Sequence, residues 1–394
     1  MATPATHPSF GQSAIRNPKS GVEVRLVPKK SSTFHDFPYA TPRRKCIHNW
    51  IINVTPPGPS HCIHQCVYCY ARDAVFSRES QGVLEVYGNL PELVARDLDR
   101  ISLCPPISIS NTTDPCQAVP EVRREVARLV RLVVARRLSL LIVTKGDATF
   151  LLDVSGFAAH PRAVVATTIE GPPEVLRLLS PRAPAFEERL GSVRRLAEAG
   201  VRVVVRLDPF LPHVHQAVYG DGWFGRVEGL IGDFARSGCR HVICSTGRLA
   251  RRAGRGPGAS SLERLEALVG QLDPAAAAAL RRDYAFDRSG TSAGYLWRRP
   301  LRLEFHRRLR ALCEAHGMTY ATCQETAAEE TDSPGLPSCE GHPLPFCVKG
   351  LGGVFEPVEG CTALCHVACR GLAAPPCGRR ELVSPAPLRI SLLR

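Results

Sequence analysis

The sequence contains no run of about 18 apolar residues, the length a helix needs to cross a bilayer, so a helical membrane span is not expected. Its first thirty residues also lack the apolar centre of a secretory signal, which points to a cytoplasmic protein. Acidic residues fall short of basic ones, 37 against 50, leaving a formal charge of +13. That balance allows a polyanionic partner such as nucleic acid. The arginines are nonetheless scattered along helices, as at Arg123, Arg124, Arg128, Arg131, Arg136 and Arg137, where a solvated helix face explains them equally well. What the chain does have is cysteine, sixteen of them in 394 residues. A disulfide scaffold would be far shorter and secreted, so these thiols call for metal or catalysis instead.

The first 45 residues are rich in Pro, Ser, Thr and basic side chains without sustained periodicity, and read as a basic arm. Lys29, Lys30, Arg43, Arg44 and Lys45 are its candidates for touching an anionic substrate. From 46 to 250, short β-rich runs alternate with amphipathic helices, the signature of a parallel α/β sheet. The strand candidates are 48–54, 106–110, 139–144, 163–169, 201–207 and 240–245. Between them, Val122, Val126, Leu129, Val130 and Val133, and then Leu190, Val193 and Leu196, recur at helical spacing. Six such units are two short of a closed eightfold barrel, which predicts a partial (βα)6 barrel or an open doubly wound sheet. Either architecture gathers its site at the carboxyl ends of the strands. The Gly, Pro and Arg stretch at 251–258 opens a linker and helical extension running to 318, with helices expected at 274–282 and 300–316. Residues 319–394 form a Cys-rich lobe with too little apolar material for a core of its own.

Directly after the first strand candidate, residues 61–72 read HCIHQCVYCYAR, with Cys62, Cys66 and Cys69 spaced by three residues and then two. Three thiolates on one short loop can reach three irons of a cubane cluster and leave the fourth iron open. A structural zinc loop is the competing reading, although zinc sites usually pair two distant Cys-x-x-Cys knuckles.

With Tyr68 before the last cysteine, this loop resembles that of the radical S-adenosylmethionine superfamily. The adjoining Tyr70, Ala71 and Arg72 narrow the resemblance to the branch containing spore photoproduct lyase, over residues 45 to 250. The resemblance implies a [4Fe-4S] cluster, S-adenosylmethionine chelated at its open iron, reductive cleavage to a 5'-deoxyadenosyl radical, and an electron donor such as a flavodoxin or ferredoxin. It further implies cofactor contacts at successive strand ends. Candidates there are Ser110, Asn111 and Thr113 after the second strand, Lys145 after the third, Thr168 and Glu170 after the fourth, Arg206 on the fifth and Ser245 after the sixth. Lys145 stands out because a Ser/Thr-Lys pair at this point holds the methionine carboxylate in that branch, a charge-assisted contact. Each of these residues is also an ordinary strand-end polar group that caps a loop. His213 and His215, expected in the loop after the fifth strand, are weaker candidates for substrate binding or proton transfer.

The lyase donates a hydrogen atom from a cysteine just before a Thr-Ser-Asp run at the second strand. Here Asn111 occupies the matching place in SNTTDP, and an amide cannot replace a thiol. Cys116, five residues on, is the substitute candidate for a catalytic thiol, with a buried structural thiol as the alternative. A second group, Cys361, Cys365, Cys369 and Cys377, repeats every four residues at its start and would share one helix face. It is a candidate for an auxiliary iron-sulfur cluster or zinc, with Cys323, Cys339 and Cys347 as further ligands. The sequence therefore predicts a radical enzyme abstracting hydrogen from a base, nucleotide, peptide or metabolite. A lesion-repair lyase and a non-catalytic metal-containing nucleic-acid-binding protein remain as alternatives.

Overall fold

The computed structural model describes residues 15–16, 22–36, 46–74, 77, 80, 82–250, 259–287, 294–383 and 390–394. Arg43, Arg44, Lys45 and the 251–258 stretch lie outside the described residues.

Each of the six expected strands forms, in chain order Trp50–Ile52, Ile107–Ile109, Leu140–Thr144, Ala163–Thr168, Arg202–Leu207 and His241–Cys244. They lie side by side and parallel, so the sheet order follows the chain order. The central Ala163–Thr168 strand is buried at every position, as a parallel strand covered on both faces must be. Helices fill the crossovers. Pro120–Ala135 starts with proline in its first turn and buries Val122, Val126, Leu129, Val130 and Val133 completely. The result is the expected α/β sheet, open at both edges among the described residues.

The structure adds a seventh parallel strand, Thr319–Thr322, beside His241–Cys244, and an antiparallel His35–Asp36 strand at the opposite edge. The boundary drawn at 319 thus passes through the main sheet. Farther on, Cys347–Lys349 pairs with Leu103–Cys104, stitching the Cys-rich segment to the barrel itself. A four-residue strand carries too little periodicity to announce itself, and its partners are distant in sequence.

Two local expectations change. His213 and His215 are not in a loop but on the Pro212–Tyr219 helix, which Pro212 opens at its first turn. Both are buried, His213 against Asp283 at 3.0 Å and His215 against the Leu211 carbonyl at 3.0 Å. Nor do Cys361, Cys365 and Cys369 share a helix face, because the only helix there is Cys365–Ala368. Ala363 adopts a left-handed backbone at φ 58°, which prevents that helix from reaching back to Cys361.

Candidate active site at the carboxyl end of the sheet

The loop carrying Cys62, Cys66 and Cys69 leaves the first parallel strand and is held from several directions. Gln65 takes a positive φ of 50° and donates to the carbonyls of Pro59 and Cys62, at 2.6 and 2.7 Å, folding the loop back on itself. Gln117 accepts from Ile63 N–H at 2.8 Å and donates to the His61 carbonyl at 3.1 Å. On the far side Arg264 donates to the carbonyls of Val67 and Cys69, at 2.7 and 3.2 Å, and pairs with Asp73 at 3.1 Å. Sequence reasoning missed these clamps, since Gln117 and Arg264 belong to elements remote from the motif.

Asp114 forms the floor. Its carboxylate accepts from Cys116 N–H at 2.8 Å, Thr144 Oγ1 at 2.6 Å and Lys145 N–H at 2.6 Å, and faces His64 at 3.4 Å. Burial alone would raise its pKa, yet His64 and these donors hold it well below the usual carboxylate range. One carboxylate thus joins the cysteine loop to the ends of the second and third strands.

Above it sits a buried charge network. Glu170, fully buried, pairs with Arg189 at 2.6 Å, accepts from the Tyr68 hydroxyl and faces Lys145 Nζ at 3.8 Å. Arg189 also donates to the carbonyls of Thr168 and Pro184 and to Ser180 Oγ, at 3.0, 2.8 and 2.8 Å, so each of its nitrogens has a partner. Burial pushes the Glu170 pKa up, but Arg189 and Lys145 bring it below its ordinary value. Lys145 is correspondingly held as a cation by Glu170 against the cost of burial. Its ammonium lies 5.5 Å from the centre of the Tyr68 ring.

Burial pushes the Cys66 thiol up to about 11, with Lys145 opposing the shift, and the Cys62 thiol up to about 12. Cys62 senses Cys66, and Cys66 senses Cys69. Among the described residues, no three His, Cys, Asp or Glu side chains group as ligands of one metal ion. Cubane thiolates each bind a different iron, so three neighbouring thiols on a clamped loop fit that group. Because burial keeps the Cys62 and Cys66 thiols protonated in the free protein, loading a cluster must release their protons.

The other strand-end candidates differ in how far their polar atoms are already engaged. Ser110 Oγ accepts from Val54 N–H at 3.2 Å, and Thr113 Oγ1 bonds Thr55 Oγ1 at 2.6 Å. Asn111 accepts from Ser108 Oγ at 2.9 Å through its side chain and from the Tyr70 hydroxyl through its carbonyl. Thr168 is buried, with its carbonyl on Arg189. Arg206 spans Asp208 at 2.6 Å and Glu340 at 3.1 Å and donates to Cys323 Sγ at 3.4 Å. Ser245 donates to Glu325 at 2.8 Å. Cys116 has no exposed surface, packed where any side chain at Gly146 would collide with its carbonyl.

Seven of the remaining thiols form two groups. Cys361, Cys365, Cys369 and Cys377 lie within electrostatic reach of one another, and burial followed by mutual repulsion raises the pKa of Cys365. Cys46 instead hydrogen-bonds both Cys323 and Cys339, a convergence of three chain segments that no local pattern signals.

No protein-family profile matches the chain. A radical SAM Nalpha-GlyT isomerase of Pseudomonas phage M6 is 23% identical over 352 residues, covering 85% of this chain and 69% of that protein. Among solved structures, a single-site variant of spore photoproduct lyase superposes with a TM-score of 0.52 at 18% identity, covering 76% of this chain and 81% of the other. Another variant, bound to AdoMet and dinucleoside spore photoproduct, gives 0.51 at 16% identity over 77% and 82% of the two chains. Among the described residues no helix is long and apolar enough to cross a membrane. With the three-cysteine loop at the exit of the first strand of a parallel sheet, these likenesses agree: the chain is similar in sequence to a radical SAM enzyme and shares the fold of spore photoproduct lyase.

Proposed function

We propose that the enzyme uses a [4Fe-4S] cluster held by Cys62, Cys66 and Cys69 to cleave S-adenosylmethionine reductively and abstract hydrogen from a carbon of an anionic substrate. The observation that carries this reading is the buried Glu170–Arg189 pair, which fixes Lys145 and Tyr68 against Cys66. When bound, the cluster and its cofactor supply one electron to the sulfonium and a hydrogen-abstracting adenosyl group. The chain supplies position and charge. Lys145 offers an ammonium to the methionine carboxylate, and its charge is maintained by Glu170. Ser110, Asn111, Thr113 and Thr168 line the neighbouring strand ends as cofactor contacts. Glu170 positions Lys145 and Tyr68, while Arg206 and Ser245, engaged by Glu340 and Glu325, shape the wall. A flavodoxin or ferredoxin delivers the electron.

Thymine-dimer reversal is disfavoured, because position 111 carries an amide and the thiol of Cys116 is walled into the core. The isomerase and lyase names of the similar proteins show how widely reactions vary within this likeness. For the four C-terminal cysteines we propose an auxiliary iron-sulfur cluster, supported by their mutual proximity.

The test is anaerobic reconstitution followed by dithionite and S-adenosylmethionine. The wild type is expected to form 5'-deoxyadenosine, and Cys66→Ala to form none while keeping the iron of the auxiliary site, which Cys365→Ala should lose instead. A well-loaded wild-type protein that forms no 5'-deoxyadenosine would leave a structural cluster in a nucleic-acid-binding protein as the better reading.

A further inference from the structure

Two arginines beyond the strand ends have buried donors that no group among the described residues accepts. Arg302, on the Arg299–Ala315 helix, is only 1% exposed, yet its Nε and Nη1 have no hydrogen-bond partner. Arg248, four residues past the sixth parallel strand, leaves a buried Nη1 unpaired as well. Buried polar groups in folded proteins are almost always satisfied, and guanidinium cannot escape the cost by losing its proton. Three donor nitrogens on two neighbouring cations therefore lack an acceptor among the described residues and are open to one from outside the chain.

The two side chains are brought to one place by the hairpin of Tyr284–Asp287 and Gly294–Trp297, in which Asp287 stands directly opposite Gly294. Arg302 Nη2 donates to Asp287 at 3.0 Å. The Arg248 stem crosses Gly294 so closely that a Cβ there would lie 2.6 Å from Arg248 Cγ. Reciprocal backbone bonds between Leu249 and Tyr295, at 2.9 and 2.8 Å, pin the segment carrying Arg248 to the same strand. The guanidiniums sense each other, and Arg248 senses Cys323 at the end of the seventh strand, so the pair borders the same end of the sheet as the cysteine loop.

The nearby carboxylates do not fill the gap. Glu325 already accepts from Ser245 Oγ, Thr246 N–H, Thr246 Oγ1 and His306 Nε2, at 2.8, 3.0, 2.8 and 3.2 Å. Asp287 reaches Arg302 only through Nη2. Arg248 forms the accessible side, being only partly buried.

We propose that Arg248 and Arg302 form a binding site for a phosphoryl group, through which the enzyme holds a phosphate-bearing substrate beside its radical centre. Paired guanidiniums with unmet donors match the tetrahedral oxyanion, whose several oxygens can accept from both arginines at once. The site itself stands on the arginine geometry, and its assignment to substrate rests on the radical reading above.

The test uses the full-length apoprotein and sodium phosphate, with sodium chloride at matched ionic strength as reference, followed by thermal melting and calorimetric titration. Phosphate is expected to raise the wild-type melting temperature progressively with concentration. Arg248→Gln and Arg302→Met should each weaken phosphate affinity about tenfold or more, the loss of one charge-assisted contact. Should Arg302→Met fail to fold, Arg248→Gln decides, because its side chain is partly exposed. A wild type indifferent to tens of millimolar phosphate, or both variants retaining its full effect, overturns the site. Phosphate binding without 5'-deoxyadenosine formation would remove the radical reading alone, and the reverse pattern would remove this site alone.

Discussion

Replacing Arg189 with methionine tests whether the Glu170 network organises the site. The substitution keeps most of the apolar stem but deletes a guanidinium bonded to Glu170, Thr168, Ser180 and Pro184. Glu170 would remain fully buried with Tyr68 and a more distant Lys145 as its support. Breaking a buried pair from one side costs roughly 3–5 kcal/mol, and the residual Lys145 attraction favours the lower end. At about 2–4 °C per kcal/mol for a large domain, a 3 kcal/mol loss lowers the melting temperature of the apoprotein by roughly 6–12 °C. Glu170→Gln should be destabilising too, and the double variant should cost clearly less than the sum, the non-additivity expected of directly coupled groups. A change in Arg189→Met no larger than the ±0.5 kcal/mol typical of surface positions would refute the argument. So would strict additivity in the cycle, since it would mean that the ion pair is not the unit of stability.

The parts of this arrangement that were legible in sequence are those written in contiguous residues. Parallel strands buried on both faces give unbroken runs such as Ala163–Thr168, and the crossover helix Pro120–Ala135 repeats its apolar residues at helical spacing. The cysteine loop is visible for the same reason: its three thiols lie within eight residues. By contrast, Thr319–Thr322 is too short to show a period and joins the sheet only through His241–Cys244. The support around Cys66 is equally hidden, because Arg189 is one arginine among many on an outwardly polar helix until the fold turns it beneath Glu170. Strand-end polarity identified Arg206 and Ser245 but not their partners, Glu340 and Glu325, which arrive from 134 and 80 residues away. The second cysteine group shows the converse: its spacing suggests a helix, yet Ala363 at positive φ ends that possibility while still leaving the thiols close together.

Two further outcomes follow from the packing and the buried charges. Gly146→Ala would place a Cβ 2.2 Å from the Cys116 carbonyl oxygen, a backbone atom that cannot swing aside, in the turn that holds Asp114 beneath Lys145. It should cost about 1–3 kcal/mol in urea denaturation of the apoprotein, and an unchanged midpoint would show that the turn gives way freely. Stability should also decline in two stages on acidification. Burial lowers His215 and His241 from 6.5 to about 4, so both are neutral in the folded protein where the unfolded chain takes up protons. A depressed folded pKa contributes its full stability above the unfolded value, so this contribution is complete above pH 6.5 and is lost as the pH falls toward 4. Glu325 follows. Burial opposes its ionisation, but His306 and the Thr246 amide hold it at about 2 against an ordinary 4.5. Its contribution, about 3 kcal/mol from the linkage relation, is lost between pH 4.5 and about 2. Denaturation midpoints of the apoprotein between pH 8 and 3 separate the stages, and His215→Phe should remove the His215 share of the upper one, leaving that of His241 and the lower stage in place. A wild-type profile that is level down to pH 4.5 would mean that the histidines protonate without cost, and that burial of neutral imidazole is not what couples this fold to pH.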